Sequence, residues 1–302
     1  MSGPPPLPTR SLDRCPACDG ADRVSLPLAY EYRGRFPLVR CRACDLRFLS
    51  SQPTAEGLTE LYGASYFERD FRCGRSEAPY STEDAFRAEN SGLLEAFERL
   101  RPPRRMLEVG CAGGWLLKHA IERRWEARGV ELSAAAVAQA RVLGLDVFHG
   151  ELADARLPAA HFGLVYMGDV LEHVPDPRGV VLEVSRVLEP GGHLYLRGPI
   201  TTHSLARRLA LGAYRLASRE IVLREPPYHL LEFTPRSLRR LFEGAGLTVI
   251  SMRQSKIPPG RAHGEKSAFE RRAMAAIDAV NLPLTRAFNV LGDRIVAIGR
   301  KR

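Results

Sequence analysis

The stretch Leu107-Glu-Val-Gly-Cys-Ala-Gly-Gly-Trp115 (LEVGCAGGW) decides the fold of this 302-residue chain. An apolar run ends here in a glycine-rich turn, and a helical pattern begins directly after it. In α/β proteins such a junction lies at the carboxyl end of a parallel strand, where the sheet binds its ligand. We therefore expect the ligand site to be built around this turn.

The sequence on both sides of the turn predicts alternating strands and helices. Strands are expected at Met106–Val109, Arg128–Leu132, Asp146–His149, Leu164–Met167 and His193–Arg197, with helical patterns between them. This alternation predicts an α/β fold, a parallel sheet with helices on both faces.

The glycine turn does not fit the dinucleotide fingerprint GxGxxG, because Ala112 stands where the second glycine belongs. Two acids accompany the turn: Glu108 precedes it, and Glu131 ends the next strand. An acid at the end of the second strand can accept hydrogen bonds from ribose hydroxyls, but several kinds of nucleotide enzyme share this feature. These residues alone do not identify the nucleotide that the site binds.

Three later motifs narrow the choice: Val130-Glu-Leu-Ser133, Val170-Leu-Glu-His-Val-Pro-Asp-Pro177 and Leu188-Glu-Pro-Gly-Gly-His193. With them, residues 104 to about 246 resemble class I S-adenosylmethionine-dependent methyltransferases, in particular the ubiquinone-biosynthesis-like and sugar-modifying branches. The resemblance implies a Rossmann-like seven-stranded sheet whose last strand, Arg294–Arg300, runs antiparallel. It implies S-adenosylmethionine as cofactor, whose cationic amino group explains an acid beside the turn.

The resemblance also implies which residues bind the methyl donor. They lie in the glycine turn and after the second, third and fourth strands: Glu108, Gly110, Cys111, Gly114, Glu131, Leu132, Glu151, Leu152, Gly168 and Asp169. Two residues depart from the family pattern. Ala112 replaces a glycine, which an alanine tolerates where φ is negative, and Gly163 replaces the usual aspartate.

Four cysteines near the amino terminus have the spacing of a zinc ribbon. Cys15 and Cys18 form one CxxC pair, Cys41 and Cys44 form another, and residues 24–39 between them read as a β-hairpin with its turn at Arg33-Gly34. Four thiolates fill a tetrahedral zinc shell and leave no open position, so the spacing predicts a structural zinc site. Cys73 has no such neighbour and is expected to be an ordinary thiol.

The chain divides into three predicted parts: a zinc ribbon at 1–50, an aromatic and helical connector or lid at 51–103, and a methyltransferase domain at 104–302. Within the last part we expect a lid insertion at 203–228 and a helical insertion at 266–292. The lid segment is basic and amphipathic, which predicts an ordinary lid helix, a pocket wall or a contact with a membrane surface. The helical insertion is expected to pack on the domain or on a second subunit.

Two histidines are candidates for a general base, the role that suits methyl transfer to a hydroxyl. His229 lies in the loop after the fifth strand, where the resembling sugar methyltransferases use a histidine, and His173 follows Glu172 after the fourth strand. The alternatives are a lid-anchoring hydrogen bond for His229 and a turn cap for His173. The acceptor is expected to contact aromatic side chains: Tyr62, Tyr66, Phe67 and Tyr228.

Composition and charge set the remaining expectations. The chain is 45% hydrophobic and carries a net charge of +9. Its first ten residues lack an apolar signal segment, and no apolar run reaches the ~18 residues of a membrane span, which predicts a cytoplasmic protein. The positive charge is scattered along the chain, which disfavours a nucleic-acid partner without excluding one.

These observations favour a methyltransferase acting on a small molecule, at a hydroxyl or carbon of a sugar, glycolipid or secondary metabolite. Two alternatives stay open: an RNA methyltransferase that docks through the ribbon, and a ribbon-based binding protein whose methyltransferase domain is degenerate. Salt dependence of RNA binding would separate the first from the leading hypothesis. The sequence does not give the oligomeric state.

Overall fold

The structure of the protein, a computed structural model, describes residues 5–62, 83–90, 92–102, 104–256 and 268–302. It begins with a unit of short strands and one helix. In chain order these are β1 (Thr9–Ser11), β2 (Arg23–Glu31), β3 (Arg35–Cys41), β4 (Arg47–Leu49), β5 (Ser51–Pro53) and α1 (Ala55–Leu61). We call residues 5–62 the ribbon unit.

The predicted hairpin of the ribbon unit is present. Strands β2 and β3 pair antiparallel, with Tyr30 opposite Phe36. The turn between them contains Arg33 and Gly34, both at positive φ, and β1 pairs antiparallel with β5. Strands β1 and β5 thus form a separate two-stranded sheet in the ribbon unit.

A central sheet of seven strands follows. In chain order the remaining elements are α2 (Glu83–Asn90), α3 (Leu93–Leu100), β6 (Arg105–Val109), α4 (Trp115–Glu122), β7 (Glu126–Glu131), α5 (Ala134–Val142), β8 (Val147–His149), β9 (Phe162–Gly168), α6 (Pro177–Val187), β10 (Leu188–Pro199), α7 (Leu205–Leu216), β11 (Ile221–Leu223), β12 (Leu231–Glu232), α8 (Pro235–Gly244), β13 (Leu247–Ser255), α9 (Ala268–Phe288) and β14 (Arg294–Lys301).

The strand order in this sheet is β13-β14-β10-β9-β6-β7-β8. Strands β6 to β10 are mutually parallel where they pair. Strand β14 runs antiparallel to both neighbours and lies between β10 and β13. The predicted fold class is confirmed, including the antiparallel last strand.

Hydrophobic packing covers both faces of the sheet. Strand β9 is buried along nearly its whole length, as expected for a central strand with helices on both sides. On one face, Phe97 and Trp125 pack with Met106 and Tyr166. On the other face, the core runs without a break from sheet residues such as Val165 into the ribbon unit.

The ribbon sheet has five strands, in the order β11-β2-β3-β4-β12. Its two outer strands, β11 and β12, come from the segment that follows β10. Residue Ile221 of β11 pairs with Leu28 of β2, and Leu231 of β12 pairs with Phe48 of β4, so both pairings join distant parts of the chain. The predicted lid region 203–228 thus contains helix α7 and an outer strand of the ribbon sheet.

The region predicted as a helical insertion contains α9. This helix contacts α7 and β13, and its Asn281 side chain, fully buried, donates to the carbonyl of Leu291. Within the described part of the chain, no helix combines the length and apolarity needed to cross a bilayer.

Candidate active site

The glycine turn after β6 has the backbone of a ligand-binding loop. Gly110, Ala112 and Gly114 all have positive φ, at 73°, 45° and 84°. The amides of Gly110 and Cys111 both donate to the carbonyl of Val130 at the end of β7. The condition under which an alanine replaces this glycine without strain, a negative φ, is not met, because Ala112 adopts the left-handed conformation that a glycine would favour.

Close packing explains two glycines of this turn. A Cβ atom on Gly110 would lie 2.3 Å from the side chain of Val170, and one on Gly114 would lie 2.4 Å from that of Leu145. Both positions also have positive φ. A glycine at position 110 therefore lets the turn approach Val170 in the loop that follows β9. A glycine at position 114 lets Leu145 pack against the turn just before helix α4 begins at Trp115.

Glu131 ties the glycine turn to the next strand. Its Oε2 accepts a hydrogen bond of 2.9 Å from the amide of Ala112, and its Oε1 accepts one of 2.8 Å from the amide of Ser133. A carboxylate oxygen can accept a second hydrogen bond. Glu131 can thus hold the turn and still accept from the hydroxyls of a ribose.

Glu108 is the buried acid beneath the turn. It is 6% exposed, and its Oε2 has no hydrogen-bond partner among the described residues. Burial raises the pKa of this carboxyl well above its usual range, the charge of Glu131 raises it further, and Arg197 opposes the shift. An unpaired buried carboxylate is costly, and a cationic group placed against it would remove that cost.

The other residues predicted to bind the methyl donor lie at the same edge of the sheet, and their side chains differ in exposure. Leu132 is 64% exposed, whereas Leu152 is buried in the core. The thiol of Cys111 is buried against Gly129, where a Cβ atom would lie 2.6 Å from Sγ. Glu151 is exposed in the loop after β8.

Gly168 and Asp169 end the fourth parallel strand. A Cβ atom on Gly168 would lie 2.3 Å from the Tyr166 hydroxyl oxygen. The Asp169 carboxylate forms an ion pair with Arg294 of β14, 2.7 Å from Nη2 to Oδ1. Sequence reasoning did not find Arg294, because the two residues are 125 positions apart.

The departure at Gly163 also has a structural reason. A Cβ atom at this position would lie 2.5 Å from Nε of Arg101, and the Arg101 guanidinium forms an ion pair with Glu189. The space that a larger side chain would fill is thus occupied by Arg101.

These features fit S-adenosylmethionine. Glu108 offers an unpaired carboxylate to a cationic amino group, Glu131 offers acceptors to a ribose, and Leu132 offers an exposed apolar surface to a base. Two carboxyl groups beside the turn also disfavour an anionic pyrophosphate there.

A second group of side chains lies where the loop after β9 meets the segment before β12. Nδ1 of His173 lies 2.9 Å from the Tyr62 hydroxyl and 2.9 Å from the carbonyl oxygen of Tyr228. The Tyr62 hydroxyl also donates to that carbonyl, at 3.2 Å. The ring centroids of Tyr62 and Tyr228 lie 5.6 Å apart. We call Tyr62, Glu172, His173, Tyr228 and His229 the histidine cluster.

The carbonyl of Tyr228 determines the tautomer of His173. Because a carbonyl oxygen only accepts, Nδ1 must carry the hydrogen in this bond, and Nε2 then carries the lone pair. Burial lowers the pKa of His173, while the Tyr228 carbonyl raises it by a smaller amount. His173 is therefore uncharged at neutral pH.

His229 packs against His173 with its ring nearly perpendicular and 4.9 Å away, centroid to centroid. Glu172 is buried beside them, and its Oε1 lies 3.9 Å from Nε2 of His173. Burial raises the pKa of Glu172 well above its usual range, and the charge of Asp169 adds to the shift. Each of three residues offers one possible metal-ligand atom here: Glu172, His173 and His229. These three atoms lie within 4.8 Å of one another, so this set could also hold a divalent cation.

The structure thus brings both candidate histidines together with Tyr62 and Tyr228. The other two predicted acceptor contacts, Tyr66 and Phe67, lie outside the described residues, as does Cys73. Sequence reasoning missed the buried acid Glu232, which accepts hydrogen bonds from the hydroxyls of Thr201 and Thr202.

The four amino-terminal cysteines form a compact cluster. Their Sγ atoms all lie within 4.8 Å of one another. The Cys15–Cys44 and Cys18–Cys41 sulfur pairs are 3.5 and 3.6 Å apart. Thiolates at about 2.3 Å from a tetrahedral zinc ion would be separated by about 3.8 Å, so the cluster is compatible with structural zinc.

The fold is that of S-adenosylmethionine-dependent methyltransferases. A methyltransferase from Archaeoglobus fulgidus is 16% identical, with 78% of this chain and 98% of that chain aligned at a TM-score of 0.51. A protein of Pyrococcus horikoshii gives 14% identity, coverage of 78% and 99%, and a TM-score of 0.52. At these identities the likeness shows the fold alone.

The sequence profile of a methyltransferase domain family matches residues 82–252, more than half of the chain, which therefore belongs to this family. The ubiquinone biosynthesis O-methyltransferase of Alkalilimnicola ehrlichii is 38% identical over 100 residues, 30% of this chain and 40% of that protein. Its namesake in Cupriavidus pinatubonensis is 27% identical over 161 residues, 50% and 62% of the two chains. The chain spans less than two thirds of the length of these curated relatives.

Proposed function

We propose that the protein transfers a methyl group from S-adenosylmethionine to a hydroxyl oxygen of a small-molecule acceptor. The observation that carries this proposal is the histidine cluster, in which uncharged His173, its tautomer fixed, packs against His229, on a methyltransferase fold with an unpaired buried acid under its glycine turn. The relatives named above are O-methyltransferases, which supports oxygen as the methylated atom. We place the acceptor among phenols, sugars, glycolipids and secondary metabolites.

Each residue has a proposed role. Glu108 holds the cationic end of the donor, and Glu131 accepts from its ribose while fixing the amide of Ala112. When bound, S-adenosylmethionine supplies an electrophilic methyl group on a sulfonium. The chain contributes alignment, which can account for most of the rate of such an in-line displacement.

His229 is the proposed general base, and His173 is the proposed positioning residue. His229 accepts the proton that the acceptor hydroxyl loses as its oxygen is methylated. His173 cannot turn freely, because its Nδ1 is held by the Tyr228 carbonyl next to His229. Tyr62 and Tyr228 line the acceptor side of the cluster.

The test is a methylation assay with purified, zinc-loaded protein, S-adenosylmethionine and a panel of phenols and nucleotide sugars. We expect S-adenosylhomocysteine to form only with an acceptor, and product mass spectrometry to place the methyl group on oxygen. His229→Asn should lower kcat on the order of 10²-fold or more, with little change in donor affinity. Methylation of carbon or nitrogen, or full activity of His229→Asn, would contradict the proposal.

A further inference from the structure

The two strands that complete the ribbon sheet flank the segment that carries Tyr228 and His229. Strand β11 pairs parallel with β2, with Val222 opposite Ala29. Strand β12 pairs antiparallel with β4, with Leu231 opposite Phe48. Residues 224–230 are thus held at both ends by one sheet, and that sheet belongs to the ribbon unit.

Leu230 joins the ribbon unit to the methyltransferase domain through its backbone. Its amide donates to the carbonyl of Glu172 at 2.9 Å, in the loop after β9. Its carbonyl accepts from the amide of Leu49 at 3.0 Å and from the buried Gln52 side chain at 3.5 Å. Leu230 is fully buried, so this junction lies inside the protein next to His229.

The ribbon unit also contributes a side chain to the histidine cluster. Tyr62 follows helix α1, whose N-cap Thr54 donates its amide to the carbonyl of Pro8. Gly57 packs so closely on Pro8 that a Cβ atom there would lie 2.8 Å from the Pro8 oxygen. The hydroxyl of Tyr62 is therefore placed against His173 by contacts made within the ribbon unit.

The cysteine cluster fixes the strands on which these contacts depend. Cys41 is the last residue of β3, and Cys44 lies three residues before β4 begins. Zinc bound to both would set the position of β4 relative to β3, and β4 is the strand that pairs with β12. Zinc bound by the four thiolates would add its binding free energy to the folding of the ribbon unit.

We propose that the ribbon unit helps to form the acceptor site, because it positions Tyr228 and His229 through β11, β12 and Leu230. Zinc loading therefore controls methylation of the acceptor, while binding of the methyl donor persists without zinc. The methylation part of this statement rests on the proposed function. The positioning part does not, because it concerns the order of residues 221–232. Glu108 and Glu131, the residues proposed to bind the methyl donor, lie on β6 and β7, which belong to the seven-stranded sheet and not to the ribbon sheet.

The test compares the full zinc-loaded chain with the same chain after zinc is removed by a chelator and its loss is verified by metal analysis. Hydrogen exchange read by mass spectrometry should show faster exchange in 221–232 and in β4, with β6 and β9 still protected. The dissociation constant for S-adenosylmethionine should change by less than about 3-fold. Turnover with an active acceptor should fall on the order of 10²-fold, as for loss of a positioned base, and recover when zinc is restored.

A pair of side-chain variants tests the same contacts with zinc in place. Gln52→Leu removes a donor to the Leu230 carbonyl, and Tyr62→Phe removes the hydroxyl at His173. Each should lower kcat/KM for the acceptor by roughly 3- to 10-fold, the value of one hydrogen bond, without changing donor affinity. The matched controls are Ser25→Ala on an exposed face of β2 and Tyr214→Phe on the exposed side of α7.

Two results would overturn the proposal. One is unchanged exchange in 221–232 after verified zinc loss. The other is loss of donor binding and of protection in β6 together with the ribbon, which would make zinc a general folding element. If no acceptor is methylated even by the zinc-loaded chain, the proposed function fails, and the exchange data still decide whether the ribbon unit orders this segment.

Discussion

Nδ1 of His173 lies 2.9 Å from the carbonyl oxygen of Tyr228, so a side chain from the loop after β9 holds the backbone next to His229. This bond uses the hydrogen of Nδ1 and leaves the lone pair on Nε2. The same carbonyl accepts from Tyr62. Two distant parts of the chain, the loop after β9 and the ribbon unit, therefore converge on the backbone of Tyr228.

The first prediction separates positioning from base catalysis at His173. In His173→Asn, the side-chain amide can still donate to the Tyr228 carbonyl, whereas His173→Ala loses that hydrogen bond. We expect the asparagine variant to keep most of the wild-type kcat and the alanine variant to lose roughly 3- to 10-fold. Equal and large losses in both variants, measured at saturating donor, would instead assign the base to His173.

The second prediction concerns the buried carboxyl of Glu108. Glu108→Gln removes a group whose charged form is buried without a partner, and it should also abolish tight donor binding. A carboxyl with a raised folded-state pKa stabilises the protein below its unfolded pKa, and this contribution is lost as pH rises through the folded pKa. The variant should therefore gain ~1 to 3 kcal/mol of unfolding free energy over wild type at high pH and lose this advantage in acid.

The measurement for Glu108 is chemical denaturation across pH, with calorimetric titration of the donor. Glu243→Gln on the exposed face of α8 serves as the control for removing an acid. Tight donor binding by the glutamine variant would be inconsistent with an ion pair to the donor. A constant stability difference at all pH values would show that the Glu108 pKa is not raised.

The structure shows which features could be predicted from sequence and why. Strands β6 and β9 are buried along nearly their whole length, so their apolar runs stand out. Gly110 and Gly114 are required by contacts with the side chains of Val170 and Leu145. Strands β11 and β12 have three and two residues and pair with partners far away in sequence, so no local pattern marks them. The same holds for the ion pair between Asp169 and Arg294.

The third prediction uses the positive φ of Ala112. The left-handed conformation costs an alanine ~1 to 2 kcal/mol, while a glycine loses ~0.4 to 1 kcal/mol more on folding. Ala112→Gly should therefore leave the unfolding free energy unchanged or raise it by up to ~1.6 kcal/mol, with affinity for the methyl donor retained because the amide still reaches Glu131. Ala138→Gly, at an exposed position inside α5, should lower it by ~1 kcal/mol, and a similar loss in both variants would contradict the strained turn.

The last prediction couples donor binding to proton release. In the proposed role of Glu108, its ionised carboxylate pairs with the cationic amino group of the methyl donor. Because burial raises the pKa of that carboxyl, the free protein must then lose a proton before the pair forms. Below about pH 7.7, where an α-amino group stays charged, donor affinity should rise with pH and level off above the Glu108 pKa. Titration calorimetry in two buffers of different protonation enthalpy should show release of up to about one proton on the rising limb. In Glu108→Gln the residual affinity should be independent of pH over this range, and a pH-dependent affinity in that variant would assign the proton to another group.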